Sequence, residues 1–247
     1  LIMRLLSIVI CIAFFSLITP AFAELDVDVI VDGLNNPWEI VFGPEGEIFF
    51  TERDGRIWKI ENFEEAKVIE TFPKSGSMEG GTLGLALHPD FKNNQKIYIY
   101  QTNLELEFFQ NKVFSFTVNG DALTDKQVVI DDIPGAPWHD GGRIKFGPDG
   151  KLYITTGDAI NPGWSQDLSS LAGKILRINP DGTIPDDNPF DSSPIFSYGH
   201  RNPQGIAWSD DGLFVSSEHG PSGEMGHGHD EINVIVKGKN YGWPKVV

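Results

Sequence analysis

Four segments of this chain repeat one pattern: an apolar run, a turn built on Pro, Gly or an acid, and a second β-rich run. They are IVFGPEGEIFFTE (40–52), LALHPDFKNNQKIYIYQ (85–101), IKFGPDGKLYITTGD (144–158) and IAWSDDGLFVSSE (206–218). The turn acids Glu45, Asp90, Asp149 and Asp211 lie 45, 59 and 62 residues apart. β-Branched and aromatic residues on both sides of such turns form hairpins. A further β-rich run follows in each unit: RIWKI (56–60), KVFSFTV (112–118), KILRI (174–178) and EINVIV (231–236). A period of about 40–60 residues holding roughly four strands marks a β-propeller blade. After the N-terminal leader, no segment of about ten or more residues has helical periodicity, which disfavours parallel α/β folds. The expectation is an all-β chain, a β-propeller of four-stranded antiparallel blades. An unspecified all-β sandwich is the plainer alternative.

A radial repeat has a functional consequence. The first strand of each blade lines a central channel, so the loops entering those strands converge on one mouth, where rigid concave scaffolds hold ligands. Asn36-Pro37-Trp38, Glu79-Gly80-Gly81, residues 139–143 and residues 201–205 all fall just before the first strand of their unit. Glu79 precedes its turn acid by 11 residues, and His139 and Arg201 precede theirs by 10. The stretch SYGHRNPQG (197–205) sets Arg201 beside Asn202 among turn-forming glycine and proline, and WHDGGR (138–143) gives His139 a similar setting.

The residue types suggest a division of labour. His139 is the candidate general base, since imidazole titrates near neutrality. Asp158, 19 residues later in TTGD, would orient the ring and stabilise its cation. Arg201 would hold a planar guanidinium against an anionic or carbonyl oxygen, and Glu79 would accept a hydrogen bond from a polar ligand. Each has a plainer reading: a loop histidine, an arginine tying neighbouring blades together, a glutamate capping a turn. In SSEHGPSGEMGHGHDEIN (216–233), Gly220 and Pro221 offer backbone carbonyls in an irregular loop, donors suited to calcium. His227 and His229 form an H-x-H pair of the kind that binds zinc or copper, but the missing cysteine and surrounding glycines point to an insertion instead.

The first 23 residues read as a secretory signal peptide: Arg4, an apolar core over 5–18, and Ala21-Phe22-Ala23 before the cleavage point. The apolar run is short for a membrane span of about 20 residues. Cys11, the single cysteine, lies in this leader, so the processed chain is expected to be exported without a disulfide. The whole chain has 19 basic and 35 acidic residues; losing Arg4 leaves 18 against 35, a net charge of −17. That disfavours nucleic acid and anionic membrane surfaces. A propeller must pair its last blade with its first, and no closing strand is evident at YGWPKVV. Residues 24–247 are therefore expected to form the N-terminal part of a larger propeller.

The strings EGGTLGLALHPDF (79–91), H-x-G-G-R (139–143), GKILRINPDGTIPDDNPF (173–190), GHRNPQG (199–205), EHGP (218–221) and DEIN…GKNYGWP (230–244) together resemble the soluble quinoprotein sugar dehydrogenases. These are PQQ-dependent aldose dehydrogenases of the glucose/sorbosone type. The resemblance runs from about residue 34 to 244 and implies a six-bladed propeller, about four blades of which are present. It implies oxidation of an aldose at its anomeric carbon to the lactone, with hydride transfer to calcium-bound PQQ and an external electron acceptor. By the same resemblance His139 is the general base, Asp158 supports it, Arg201 polarises the quinone and Asn202 binds the cofactor beside it. Glu79 stands where some members have glutamine. Gly220 and Pro221 match main-chain ligands of the PQQ calcium. Glu231 and Tyr241 match a further calcium site that some members use near a dimer interface, which is compatible with a homodimer. A calcium-dependent propeller hydrolase of lactonase type and a non-catalytic extracellular binding propeller are the rival readings. The implied location is secreted or periplasmic.

Overall fold

A strand covered on both faces reads as an unbroken apolar or small-residue run, and three strands here are buried at every position: β2 (Ile48–Glu52), β10 (Leu152–Thr156) and β11 (Lys174–Ile178). The computed structural model describes residues 27–74, 77–105, 107–222 and 228–246; the proposed leader and His227 lie outside them. Residues 27–32 belong to a separate N-terminal unit and carry no strand; residues 33–247 form the second unit.

In that second unit four antiparallel meanders follow one another. The first is β1 (Pro37–Phe42), β2, β3 (Arg56–Ile60) and β4 (Lys67–Thr71). The second is β5 (Thr82–Leu87), β6 (Lys96–Glu105), β7 (Phe108–Asn119) and β8 (Ala122–Pro134). The third is β9 (Ile144–Phe146), β10, β11 and β12 (Ile195–Tyr198). The fourth is β13 (Pro203–Trp208), β14 (Phe214–Glu218) and β15 (Glu231–Val234). All four repeat hairpins form, with the short helix α1 (Phe91–Asn94) bridging β5 and β6 in place of a tight turn. The fold is the expected β-propeller, although the fourth blade has three strands among the described residues, not four, and EINVIV leaves its strand at Val234.

Inner strands of the first three blades pack side by side, β5 lying against both β1 and β9, while β13 packs on β10, the second strand of blade three. Each blade junction has its own core. Phe49, Ile57, Leu85, Ile97 and Phe114 fill the first junction. Leu83, Tyr98, Ile144, Leu152 and Leu176 fill the second, and Tyr153, Ile175, Ile206 and Phe214 the third. Burying each such side chain stabilises the fold by about 1.5–3 kcal/mol, so the blades are held radially by side-chain packing and internally by strand pairing.

The repeat also builds a recurring seat at the channel mouth. Pro37 pairs with Glu52 and Pro203 with Glu218, each beside an irregularity in the inner strand. Proline at the start of a strand withholds a donor that the ladder would not use there. The carboxylate at the end of the second strand then takes the free N–H groups of the incoming loop. Glu52 accepts from Asn35 N, and Glu218 from Arg201 N and Asn202 N. Asn35-Asn36-Pro37 in blade one and Arg201-Asn202-Pro203 in blade four are thus equivalent points of one device.

Candidate active site at the channel mouth

His139 stands in the loop between β8 and β9 with φ +63°, a left-handed conformation unusual for a residue with a Cβ. Two contacts impose it. The His139 N–H donates to Glu79 Oε2 at 2.9 Å, and its carbonyl accepts from Ala159 N at 3.2 Å. The second contact brings the peptide so close to Gly157 that a Cβ there would collide with the His139 carbonyl oxygen. This is why TTGD carries glycine before the acid. The imidazole Nδ1 lies 2.7 Å from Asp158 Oδ1. Asp158 is fully buried and every partner of its carboxylate is a donor: Ile160 N to Oδ1 at 2.9 Å and Trp243 Nε1 to Oδ2 at 2.8 Å. A carboxylate surrounded in this way assigns the imidazole proton to Nδ1 and leaves Nε2 as the lone-pair site.

Blade four supplies the cation. Besides the two backbone N–H groups, Glu218 binds His200 Nδ1 at 2.9 Å, and His200 Nε2 meets Ser197 Oγ at 2.8 Å. This buried chain fixes the turn that presents Arg201. The guanidinium lies over the Trp243 ring, 5.5 Å from its centroid, and Nη1 donates to the His219 carbonyl at 3.2 Å. Arg201 Nε is buried with no hydrogen-bond partner among the described residues.

The two halves are locked together. Asp158 N donates to the Arg201 carbonyl at 2.8 Å. Asn202 Nδ2 donates to Glu79 Oε2 at 3.3 Å, while Asn202 Oδ1 accepts from Gly141 N and Gln204 Nε2 at 3.1 and 3.0 Å. Glu79, His139, Asp158, Arg201 and Asn202 therefore meet at one node between blades two, three and four. Beside it lies a cavity of about 220 Å³ lined by Trp38, Arg53, Glu79, Asp140, Gln204 and His219.

The metal-ligand candidates border a neighbouring cleft, which Gly220, Pro221, Glu231 and Tyr241 line with Arg201 and Trp243. Gly220 N donates to Asp230 Oδ1 at 3.0 Å. Glu231 is exposed, opposite Glu218 in the β14–β15 register, and accepts from Asn233 Nδ2 at 2.8 Å. The Tyr241 hydroxyl donates to the Val234 carbonyl at 2.7 Å and accepts from Val236 N at 2.8 Å, so only its main chain is open to a ligand role. Burial raises its phenol pKa. No cluster of three or more His, Cys, Asp or Glu side chains suited to a metal occurs among the described residues. The donors fit a hard cation that takes backbone carbonyls here and completes its shell from a bound ligand. The unpartnered Arg201 Nε fits an anionic or quinone oxygen beside it.

Three supporting residues escape a reading by motif. Trp243 was legible only as part of GKNYGWP, Glu218 as one negative charge among several, and Asp140 as a filler in H-x-G-G-R. Only the equivalence of the Glu52 and Glu218 positions in the repeat could have flagged the second of these.

The fold and site together define a β-propeller with a carboxylate-backed histidine and a buried arginine at its channel mouth. The chain belongs to the Glucose / Sorbosone dehydrogenase family, which matches residues 34–247. It is 36% identical over 259 residues to quinoprotein glucose dehydrogenase B of Acinetobacter calcoaceticus, covering 90% of this chain and 53% of that protein. It is 34% identical over 238 residues to the aldose sugar dehydrogenase YliI of Escherichia coli K12, covering 90% of this chain and 62% of that one. The PQQ-bound aldose sugar dehydrogenase of Streptomyces coelicolor superposes with a TM-score of 0.82 at 38% identity, over 90% of this chain and 66% of that structure. The chain thus spans about half to three-fifths of the length of the two sequence relatives.

Proposed function

We propose that this chain is the N-terminal part of a PQQ-dependent sugar dehydrogenase that oxidises an aldose at its anomeric carbon to the lactone. The observation that carries the reading is the His139–Asp158 pair at 2.7 Å, joined through the Asp158 N–H to Arg201, whose buried Nε has no partner among the described residues. His139 Nε2 takes the proton of the anomeric hydroxyl: the O–H bond breaks, an N–H bond forms, and the carboxylate of Asp158 faces the resulting imidazolium. Bound PQQ would supply the two-electron acceptor for the hydride released from the anomeric carbon. Arg201 and Asn202 would hold it, with the Gly220 and Pro221 carbonyls binding the associated calcium and Glu231 and the Tyr241 main chain serving a further calcium. Preorganised groups of this kind contribute several kcal/mol because they need not reorient during reaction. Residues 1–23 direct export, placing the enzyme outside the cytoplasm, where an external acceptor removes the electrons.

The test reconstitutes the full-length apoprotein with PQQ and calcium, and follows quinone absorbance and dye reduction with aldoses. Uptake of the quinone with sugar-dependent dye reduction, abolished by His139→Ala, is expected. Quinone uptake with unchanged turnover in His139→Ala removes the base assignment. No quinone uptake removes the cofactor assignment and favours a calcium-dependent hydrolase or a binding propeller.

A further inference from the structure

Asp140 follows the candidate base, yet its side chain points away from solvent and into blade two. It is 1% exposed. Its Oδ1 accepts from Ala136 N at 3.1 Å, closing the turn that carries His139, and from Asn111 Nδ2 of β7 at 3.1 Å. Oδ2 faces Ser77 Oγ at 3.3 Å, and the Asp140 carbonyl accepts the Tyr100 hydroxyl of β6 at 2.8 Å. Gly80 makes room for this cluster. A Cβ there would lie 2.6 Å from Thr102 Oγ1 and 2.8 Å from both Asp140 Oδ2 and Ser77 Oγ.

We propose that Asp140 is a positioning residue for His139: its buried carboxyl bolts the 136–140 turn to the second blade and so holds the imidazole on Asp158. This inference rests on His139 as the base only for its effect on turnover, not for its effect on geometry. Two anchors frame His139, Glu79 on its N–H and Asp140 one residue on, and a left-handed residue persists only where its surroundings over-determine it. The groups facing the carboxyl are Ala136 N, Asn111, Ser77 and, at longer range, Glu79. Burial is the largest cause pushing Asp140 up to about 6, with Glu79 adding to it. A neutral carboxyl is therefore tolerated at this site. Asparagine keeps the Oδ1 acceptor for Ala136 N and Asn111 Nδ2 and turns its amide toward the hydroxyls of Ser77 and Thr102, so it should preserve the bolt where alanine cannot.

The experiment uses the full-length protein. The downfield proton resonance of His139 Nδ1, identified by its loss in His139→Ala, is recorded without cofactor or sugar for Asp140→Ala, Asp140→Asn and Gly80→Ala. Steady-state kinetics are then measured with PQQ and calcium. Asp140→Ala should erase or broaden the resonance and lower kcat about a hundredfold, the scale of an ångström-sized misplacement, with KM for the aldose little moved. Asp140→Asn should restore both, and Gly80→Ala, which displaces the carboxyl without changing it, should fall between. A sharp resonance and full kcat in Asp140→Ala would overturn the proposal. So would loss of the resonance in a folded Asp140→Asn, which keeps the proposal open to refutation even where Asp140→Ala does not fold. If His139→Ala proves active, the base assignment fails while the resonance still decides the positioning role.

Discussion

Asp158→Asn is the sharpest probe of the site, because every group around that carboxylate donates. Oδ1 faces His139 Nδ1 and Ile160 N, and Oδ2 faces Trp243 Nε1. An amide replaces one acceptor by a donor, so either orientation sets two donors against each other. With its NH2 toward Trp243, the indole N–H is orphaned and His139 keeps its tautomer. With its NH2 toward His139, Nδ1 must become the acceptor, Ile160 N loses its partner, and the proton moves to Nε2, where it blocks base chemistry. Both orientations also remove the negative charge beside the imidazolium. At an effective dielectric constant of about 20, an ion pair at about 4 Å is worth roughly 4 kcal/mol, or about a thousandfold in rate. Tautomer reversal in a Ser-His-Asp enzyme has an effect of about 10⁴. Asp158→Asn is therefore expected to lower kcat by roughly 10³–10⁴ with KM for the aldose little changed, measured by dye reduction at saturating PQQ and calcium.

The indole makes the reasoning testable a second way. Trp243→Phe keeps a ring beneath Arg201 but removes the donor to Asp158 Oδ2. In the wild-type background it should cost about 1.5–3 kcal/mol, the range for a hydrogen bond to a charged group. In the Asp158→Asn background it should cost nothing or raise kcat, since the amide can then face the vacated side and return His139 to its productive tautomer. A kcat for Asp158→Asn within threefold of wild type would refute the tautomer argument, and so would an equal cost of Trp243→Phe in both backgrounds.

Asp140 should make stability pH-dependent. Its pKa is raised from 3.8 to about 6 in the fold, so the unfolded chain releases that proton first, and stability falls as pH rises from about 4 to about 6. Urea unfolding of wild type and Asp140→Asn should show the variant gaining on wild type across this window by up to roughly 3 kcal/mol; a constant difference contradicts the shift. Lys174 is fully buried, its ammonium donating to the carbonyls of Trp164, Ser165 and Ala172 at 2.7, 3.2 and 2.6 Å, and burial lowers its pKa to about 8. Lys174→Met strips three buried acceptors of their donor and is expected to cost roughly 3 kcal/mol or more of unfolding free energy; a Tm shift within error would refute this. Gly157→Ala drives a methyl into the His139 carbonyl and should cost on the order of 3 kcal/mol along with most of the turnover, and retention of both would show that the loop yields more readily than its packing implies.

The elements and site residues that could be read from sequence are those whose signals are local. The four repeat hairpins were legible because alternation and turn chemistry act within about a dozen residues. Outer strands such as β4 and β8 were not, because their half-exposed, mixed sequences carry no period that competes with the loops around them. His139, Arg201 and Glu79 were legible through their near-constant offset from the turn acid, which fixes how far each sits above the hairpin. Trp243 was not, since its bond to Asp158 spans 85 residues and depends on how the chain returns after blade four. The inward-facing Asp140 side chain likewise depends on a distant partner, since Asn111 of another blade donates its Nδ2 to it there.

These long-range contacts follow a rule. The channel-mouth residues are held by neighbouring blades as well as by their own. His139 N reaches Glu79 in blade two, Asn202 bonds Glu79 and Gly141, and Asp158 N reaches Arg201 at the entry to blade four. Arg143, at the entry to blade three, stacks on Trp38 with 4.0 Å to the ring centroid, pairs with Glu39 of blade one, and donates to the Gln204 carbonyl of blade four. A blade folded alone would satisfy its strand ladder but leave these loop groups unpaired. The site therefore comes into register only when the inter-blade cores close. Substitutions in those cores, such as at Leu83 beside Gly142 or at Ile175 opposite Thr155, should loosen the His139–Asp158 and Arg201 geometry before they unravel any single sheet.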